Sequence, residues 1–132
     1  MKNLIVAIIG LFILAGCSKG KQYTQDLTGT WNIYKLTHLS VDVSSPYLID
    51  YMANYKITYT SDGHYVEQYV KIDYTGVDSI QHIGTWQFQN SYGQLLMTDS
   101  AHVKDTFTIL NLTGNSVELL RNGFDRYMRK QQ

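Results

Sequence analysis

With a single cysteine, Cys17, the 132-residue chain has no internal disulfide. With a single proline, Pro46, few backbone donors are lost and long strand ladders are permitted. Charge of either sign is not in excess: 11 Lys and Arg face 11 Asp and Glu, with no basic cluster. That balance argues against nucleic acid and against an anionic membrane surface as electrostatic partners. Catalytic signatures are also missing. There is no Gly-x-Ser-x-Gly elbow, no His-Glu-x-x-His and no phosphate-binding loop, so an enzyme is not expected. His38, His64, His82 and His102 are far apart and lack metal-ligand spacing, and no metal or cofactor is expected. Asp73 and Asp78, within one expected loop, are too few oxygen ligands to define a calcium site.

Long apolar runs are scarce as well. The one such run, Leu4 to Ala15, is 12 residues, short of the roughly 20 that span a bilayer and suited to the core of a signal peptide. It follows Lys2 and ends in Leu14-Ala15-Gly16-Cys17, which resembles a bacterial lipobox. The resemblance implies cleavage after residue 16 and acylation of Cys17 by palmitate-type chains. Each buried CH2 contributes about 0.8 kcal/mol, so two or more chains anchor stably. Ser18, where an aspartate would favour the inner membrane, implies the outer membrane. The absence of an acidic cluster in Ser18-Lys19-Gly20-Lys21 points to its periplasmic side rather than the cell surface. The expected organisation is a leader over 1–16, a flexible polar lipidated tether over 17–26, and one domain over 27–132. Removing the leader leaves 132 − 16 = 116 residues, and losing Lys2 gives 10 − 11 = −1 charge.

What the chain has in quantity is tyrosine, 11 in all, together with closely spaced alternating segments. Aromatic and β-branched side chains suit pleated, half-buried surfaces. Thr30 to Thr37 reads as a strand with neither face cleanly apolar. Ser45-Pro46 can open a helix over 46–53, with Leu48, Tyr51 and Met52 on one face, placed to close a barrel mouth. Seven further strands follow. Tyr55-Ile57-Tyr59 alternates with Lys56-Thr58-Thr60, and Ser61-Asp62-Gly63 then signals a hairpin. In His64 to Ile72, the apolar rule turns Val66, Gln68, Val70 and Ile72 inward. A loop is expected over 73–79. Ile80, His82, Gly84, Trp86 and Phe88 share the inner face of the next strand. Strands around Leu95 and Met97, Phe107 and Ile109, and Val117-Leu119-Arg121 follow, and Asn122-Gly123 turns the chain into the closing strand from Phe124 to Lys130. The fold class is all-β: a small eight-stranded antiparallel up-and-down barrel, closed to remove its edges, with one short helix between its first two strands.

Lipobox, tether and then Leu27-Thr28-Gly29-Thr30-Trp31 at the start of the first strand resemble the lipocalin-like lipoproteins of Bacteroidetes-type bacteria. The Asp62-Gly63 hairpin, Gly84-Thr85-Trp86 and Phe107-Thr108-Ile109-Leu110-Asn111-Leu112 fit that pattern too. The resemblance implies that Trp31 plugs the closed end of the barrel under a basic residue from near the C-terminus. Arg121 is the candidate, with Arg126 and Arg129 as alternatives. It also implies a small, mostly apolar ligand inside the barrel. Tyr59, Gln68, His82, Trp86 and Arg121 are the candidate binding residues. The alternative is a solid-cored interaction module, an accessory or inhibitor subunit of an envelope complex, with an exposed tyrosine-rich patch over 47–74 as the contact for its protein partner.

Overall fold

The computed structural model describes residues 19–48 and 52–132. The leader, Cys17, Ser18 and Tyr51 of the expected helix lie outside the described residues. The fold is the expected all-β barrel. Eight antiparallel strands close on themselves: β1 (Gly29–His38), β3 (Ala53–Tyr59), β4 (His64–Asp73), β5 (Gly76–Gln89), β6 (Gln94–Asp99), β7 (Lys104–Leu112), β8 (Ser116–Arg121) and β9 (Phe124–Lys130). Each pairs with its neighbour in sequence, and β1 pairs with β9 to seal the ring. A two-residue strand, β2 (Val41–Asp42), folds back on the end of β1.

Between β2 and β3 runs a single helical turn, α2 (Ser44–Pro46). It is broken at Ser45, which is extended (φ −103°, ψ 124°) because the residue before proline is pushed out of the helical region. Met52, at the end of this connection, packs against the core, in keeping with the expected placement of this segment over the mouth.

The ambiguous faces of β1 are explained by an irregularity between Ile33 and Lys35. Below it Trp31 and Ile33 face the core; above it Leu36 does, buried to 3% exposure, so the extra residue switches the inward parity. Tyr34 is thereby left outside, where Arg129 lies over its ring at 4.5 Å.

Three expectations change. Residues 20–26, expected as a flexible tether, are helical as part of α1, which spans 19–27. Helix α1 lies across the bottom of the barrel. At its middle Tyr23 packs on Phe88 and on Tyr92 of the β5–β6 turn (centroids 5.9 and 4.9 Å). At its end Leu27 is fully buried. Tyr23 and Leu27 are four positions apart, so both lie on the face turned to the barrel. Second, the cation above Trp31 is not Arg121, Arg126 or Arg129 but Lys130, 4.9 Å from the ring. Arg121 does face inward, but β8 runs away from the bottom and delivers Arg121 to the opposite end. Trp31 pairs directly with Lys130 in the β1–β9 ladder, so its partner is fixed by register.

The expected loop over 73–79 is instead a tight turn at 74–75 between two long strands. Asp73 accepts from the Thr75 amide at 2.8 Å and from its hydroxyl, and pairs with Lys71 at 2.9 Å, so its carboxylate serves the turn. Among the described residues no group of three or more His, Cys, Asp or Glu could hold a metal ion.

The two Gly-Thr-Trp copies need glycine for different reasons. Gly29 has φ +133°, a region L side chains rarely adopt. At Gly84 a Cβ would overlap the Thr98 carbonyl oxygen of the neighbouring β6 strand.

Replacement of Trp31 by alanine is expected to cost about 3–5 kcal/mol. Lys130→Met leaves the Asp26 and Thr28 carbonyls without their donor and is expected to cost about 1–3 kcal/mol. Chemical denaturation of the purified variants measures both; a Trp31→Ala protein as stable as the parent contradicts the plug.

Candidate functional site

The barrel interior has two layers. The lower layer is packed and apolar: Leu27, Trp31, Ile57, Leu95, Val117, Leu119 and Met128 are each at most 2% exposed. Tyr59 and Trp86 roof this floor, stacked edge to face at 6.0 Å. The Tyr59 hydroxyl reaches only the Met97 sulfur, at 3.6 Å, and burial drives its pKa far above the usual tyrosine range. The Trp86 indole donates to the Thr60 carbonyl at 3.1 Å and its ring packs on Phe88 at 5.4 Å. Both residues therefore face inward as expected, but as floor rather than wall.

Above them lies a cavity of about 300 Å3 lined by Met52, Tyr65, Glu67, Tyr69, His82, Met97, Asp99, Val103, Asp105, Phe107 and Arg126. This is at the lower end of the roughly 300–1,000 Å3 typical of small-molecule sites. A second hollow of about 270 Å3 opens beside it at the mouth, with Leu36, Tyr47, Arg121, Asn122 and Phe124, and shares Met52 and Arg126 with the first. The upper interior is polar and charged.

Glu67 is the hub. Its Oε1 accepts the Tyr55 hydroxyl at 2.8 Å, and its Oε2 lies 2.9 Å from His82 Nδ1. Arg126 stands 3.8 Å from the same carboxylate. The burial of Tyr55, followed by the Glu67 charge, raises the phenol's pKa well above normal. Asp105 holds Arg121 at 2.5 Å, and both Arg121 and Arg126 lie over the Phe107 ring, at 5.6 and 5.0 Å. Asp99 accepts the Ala101 and Val103 amides, each at 2.9 Å, and so shapes the β6–β7 loop at the rim.

Of the expected binding residues, His82 lies on the cavity wall and Arg121 on the wall of the adjoining hollow. Gln68 lies outside. On β4 the inward side chains are Tyr65, Glu67 and Tyr69, the reverse of the expected face; Gln68 is exposed on the outer surface in a groove with Lys56 and Gln81. The apolar rule fails on this strand because the upper interior is charged and aromatic, while valines cover the outside. Most of the 47–74 tyrosines follow the same logic. Tyr55, Tyr59 and Tyr65 are core, and Tyr69 lines the cavity, so they form no surface patch; Tyr74 is fully exposed. Asp99 and Asp105 face the cavity, and Asp99 also holds the β6–β7 loop. Glu67, Tyr65, Tyr69, Asp105 and Arg126 are the cavity residues that the apolar-face reading misses.

No protein-family model matches the sequence, and no curated protein matches it. Among solved structures, the chain is similar to a lipocalin-like protein from Bacteroides uniformis. The TM-score is 0.56 at 15% identity, over 80% of this chain and 99% of that one. It is equally similar to an uncharacterized protein from Bacteroides eggerthii (TM-score 0.56, 13% identity, 80% and 100% covered).

Tyr65 provides a spectroscopic probe of this site. Burial, and then the charges of Glu67, Asp99 and Asp105, raise its pKa from 10.0 to about 12. A phenol whose folded pKa is raised stabilises the fold fully below its unfolded pKa and loses that contribution as pH rises through the folded value. Stability is therefore expected to fall between pH 10.0 and about 12, with Tyr65→Phe flattening that limb in pH-dependent denaturation. An unchanged limb contradicts the placement of Tyr65 among these acids. The barrel thus has the fold of the lipocalin-like proteins of Bacteroides, with a charged hollow in its upper half.

Proposed function

We propose that this chain is a binding protein of the bacterial envelope that takes a small, polar or amphipathic ligand into the open end of its barrel. The observation that carries the reading is the division of the interior. Desolvating charged groups costs free energy that apolar packing would avoid. Yet Glu67, His82, Asp105 and Arg126 surround a hollow of about 300 Å3 instead of a filled core. A solid-cored scaffold has no use for such a wall. The expectation of a mostly apolar ligand is correspondingly revised, because the apolar side chains lie in the packed floor. The acids, imidazole and phenols of the wall are read as recognising a ligand rather than reacting with it.

The anchor fits this arrangement. Cys17 stands two residues before the described start of α1, and α1 runs across the closed end. With Cys17 acylated, the barrel would stand bottom-down on the bilayer with its mouth towards the aqueous space. Its ligand would then arrive from solution or from a soluble carrier. The outer membrane, periplasmic side, remains the proposed location, from Ser18 and the lack of a following acidic cluster.

A second reading is favoured by one feature, the β4–β5 hairpin. Residues 77–82 of β5 pair with β4 alone, and β6 begins its pairing only at Gly84. Val77 (68% exposed) lies on this free edge, and Tyr74 (fully exposed) lies in the turn beside it. An unprotected edge suits the addition of a strand from a protein partner.

Native mass spectrometry of the full chain extracted from a bacterial envelope tests the first reading. The expected spectrum shows the acylated N-terminus at Cys17 and a retained small molecule, both resolved in mass. Cys17→Ser should lose the lipid but keep the small molecule. A barrel that is always empty and shows no saturable binding contradicts the ligand reading.

A further inference from the structure

We infer that the ligand carries an anionic head, a carboxylate in the first instance, and that Arg126 is its seat; this rests on the binding reading above.

Each wall carboxylate is engaged through at least one oxygen. Glu67 takes Tyr55 on one oxygen and His82 on the other. Asp105 takes Arg121, and Asp99 takes two backbone amides. The donors are not. A guanidinium offers five N–H groups in a planar fork. Arg121 spends part of its fork on Asp105 at 2.5 Å, whereas Arg126 has only the Glu67 contact at 3.8 Å, near the outer limit of an ion pair. Among the described residues no hydrogen bond is made by the Arg126 guanidinium, nor by the hydroxyls of Tyr65 and Tyr69, and all three residues line the cavity. Arg126 is only 22% exposed, so water does not fully replace the missing partners.

The geometry holds Arg126 ready. It sits in β9 opposite Leu36 of β1 and Leu119 of β8, which fixes it to the inner face. Phe107 lies 5.0 Å beneath its guanidinium and limits how the fork can turn. It is also one of two residues common to both hollows, about 300 and 270 Å3. A carboxylate bridged by the fork would leave its organic body free to lie along Leu36, Met52 and Phe124. Planar, bidentate pairing with a carboxylate is what arginine does and lysine does not.

The test is calorimetry and ligand-observed NMR on the full-length chain in lipid nanodiscs. The probes are matched pairs, phenylacetate with phenylacetamide and hexanoate with hexanamide, plus phenethylamine as the cationic control. Both carboxylates are expected to bind about tenfold or more tightly than their amides, and Arg126→Gln is expected to remove that advantage. Arg126→Lys, which keeps the charge but not the fork, should retain only part of it, and it serves alone if Arg126→Gln fails to fold. If amides bind as well as acids, if phenethylamine binds best, or if Arg126→Gln leaves carboxylate binding unchanged, the anion seat is wrong while the binding reading stands. If no probe binds the parent protein, the binding reading falls and the seat with it.

Discussion

The structure depends on how the last carbonyls of α1 are satisfied. A helix ends with four C=O groups lacking an intrahelical partner. Here the Trp31 indole donates to Leu27 O at 2.7 Å, and Lys130 donates to Asp26 O at 2.8 Å and Thr28 O at 2.7 Å. The Thr28 amide and hydroxyl both return to Thr24 O. A cation at a helix C-terminus also meets the negative end of the helix dipole. The same two side chains, facing each other across the β1–β9 seam, therefore close the barrel sideways and cap it from below. Burial lowers the Lys130 pKa, and the Asp26 charge offsets part of that shift. The ammonium is retained because three neighbours at this corner require a donor or a cation.

That lock permits the contrast between the two halves of the interior. Because the floor is sealed by Leu27, Trp31 and the β-strand residues above them, the remaining length of each strand need not supply apolar packing. It carries instead Glu67, His82, Asp105 and Arg126, held by one another and by Tyr55 and Phe107. Such a network is specific when its members are satisfied and costly when they are not. The incompletely satisfied member, Arg126, is where the fold leaves capacity for a ligand.

Much of this was legible in the sequence, and the failures share a cause. Eight strands, the Asn122-Gly123 turn and the inward faces of β3, β5 and β8 follow from turn chemistry and alternation, and the placement of Trp31 follows from the lipocalin-like resemblance. The face of β4 does not, since hydrophobicity assigns Val66 and Val70 inward. Register would have corrected it. The Asp62-Gly63 hairpin sets Tyr59 opposite Tyr65, and directly opposed residues share a face, so a core Tyr59 carries Tyr65, Glu67 and Tyr69 inside. Lys130 was hidden because proximity to an apolar set favoured Arg121, whereas alternation through Phe124, Arg126, Met128 and Lys130 identifies the inner face of β9. Helix α1 has only Tyr23 and Leu27 as apolar signal, too little for periodicity to announce it. Its order comes from tertiary contacts that no local pattern contains.

Amide hydrogen exchange on the intact chain tests the central claim, that a docked helix locks the floor beneath an independent, open upper half. The account predicts that amides late in α1, in the lower part of β1 and at the end of β9 exchange only through global opening. Those of the upper β4–β5 hairpin should exchange by local opening at much lower cost. Rapid exchange throughout α1, with the floor strands still protected, would contradict it.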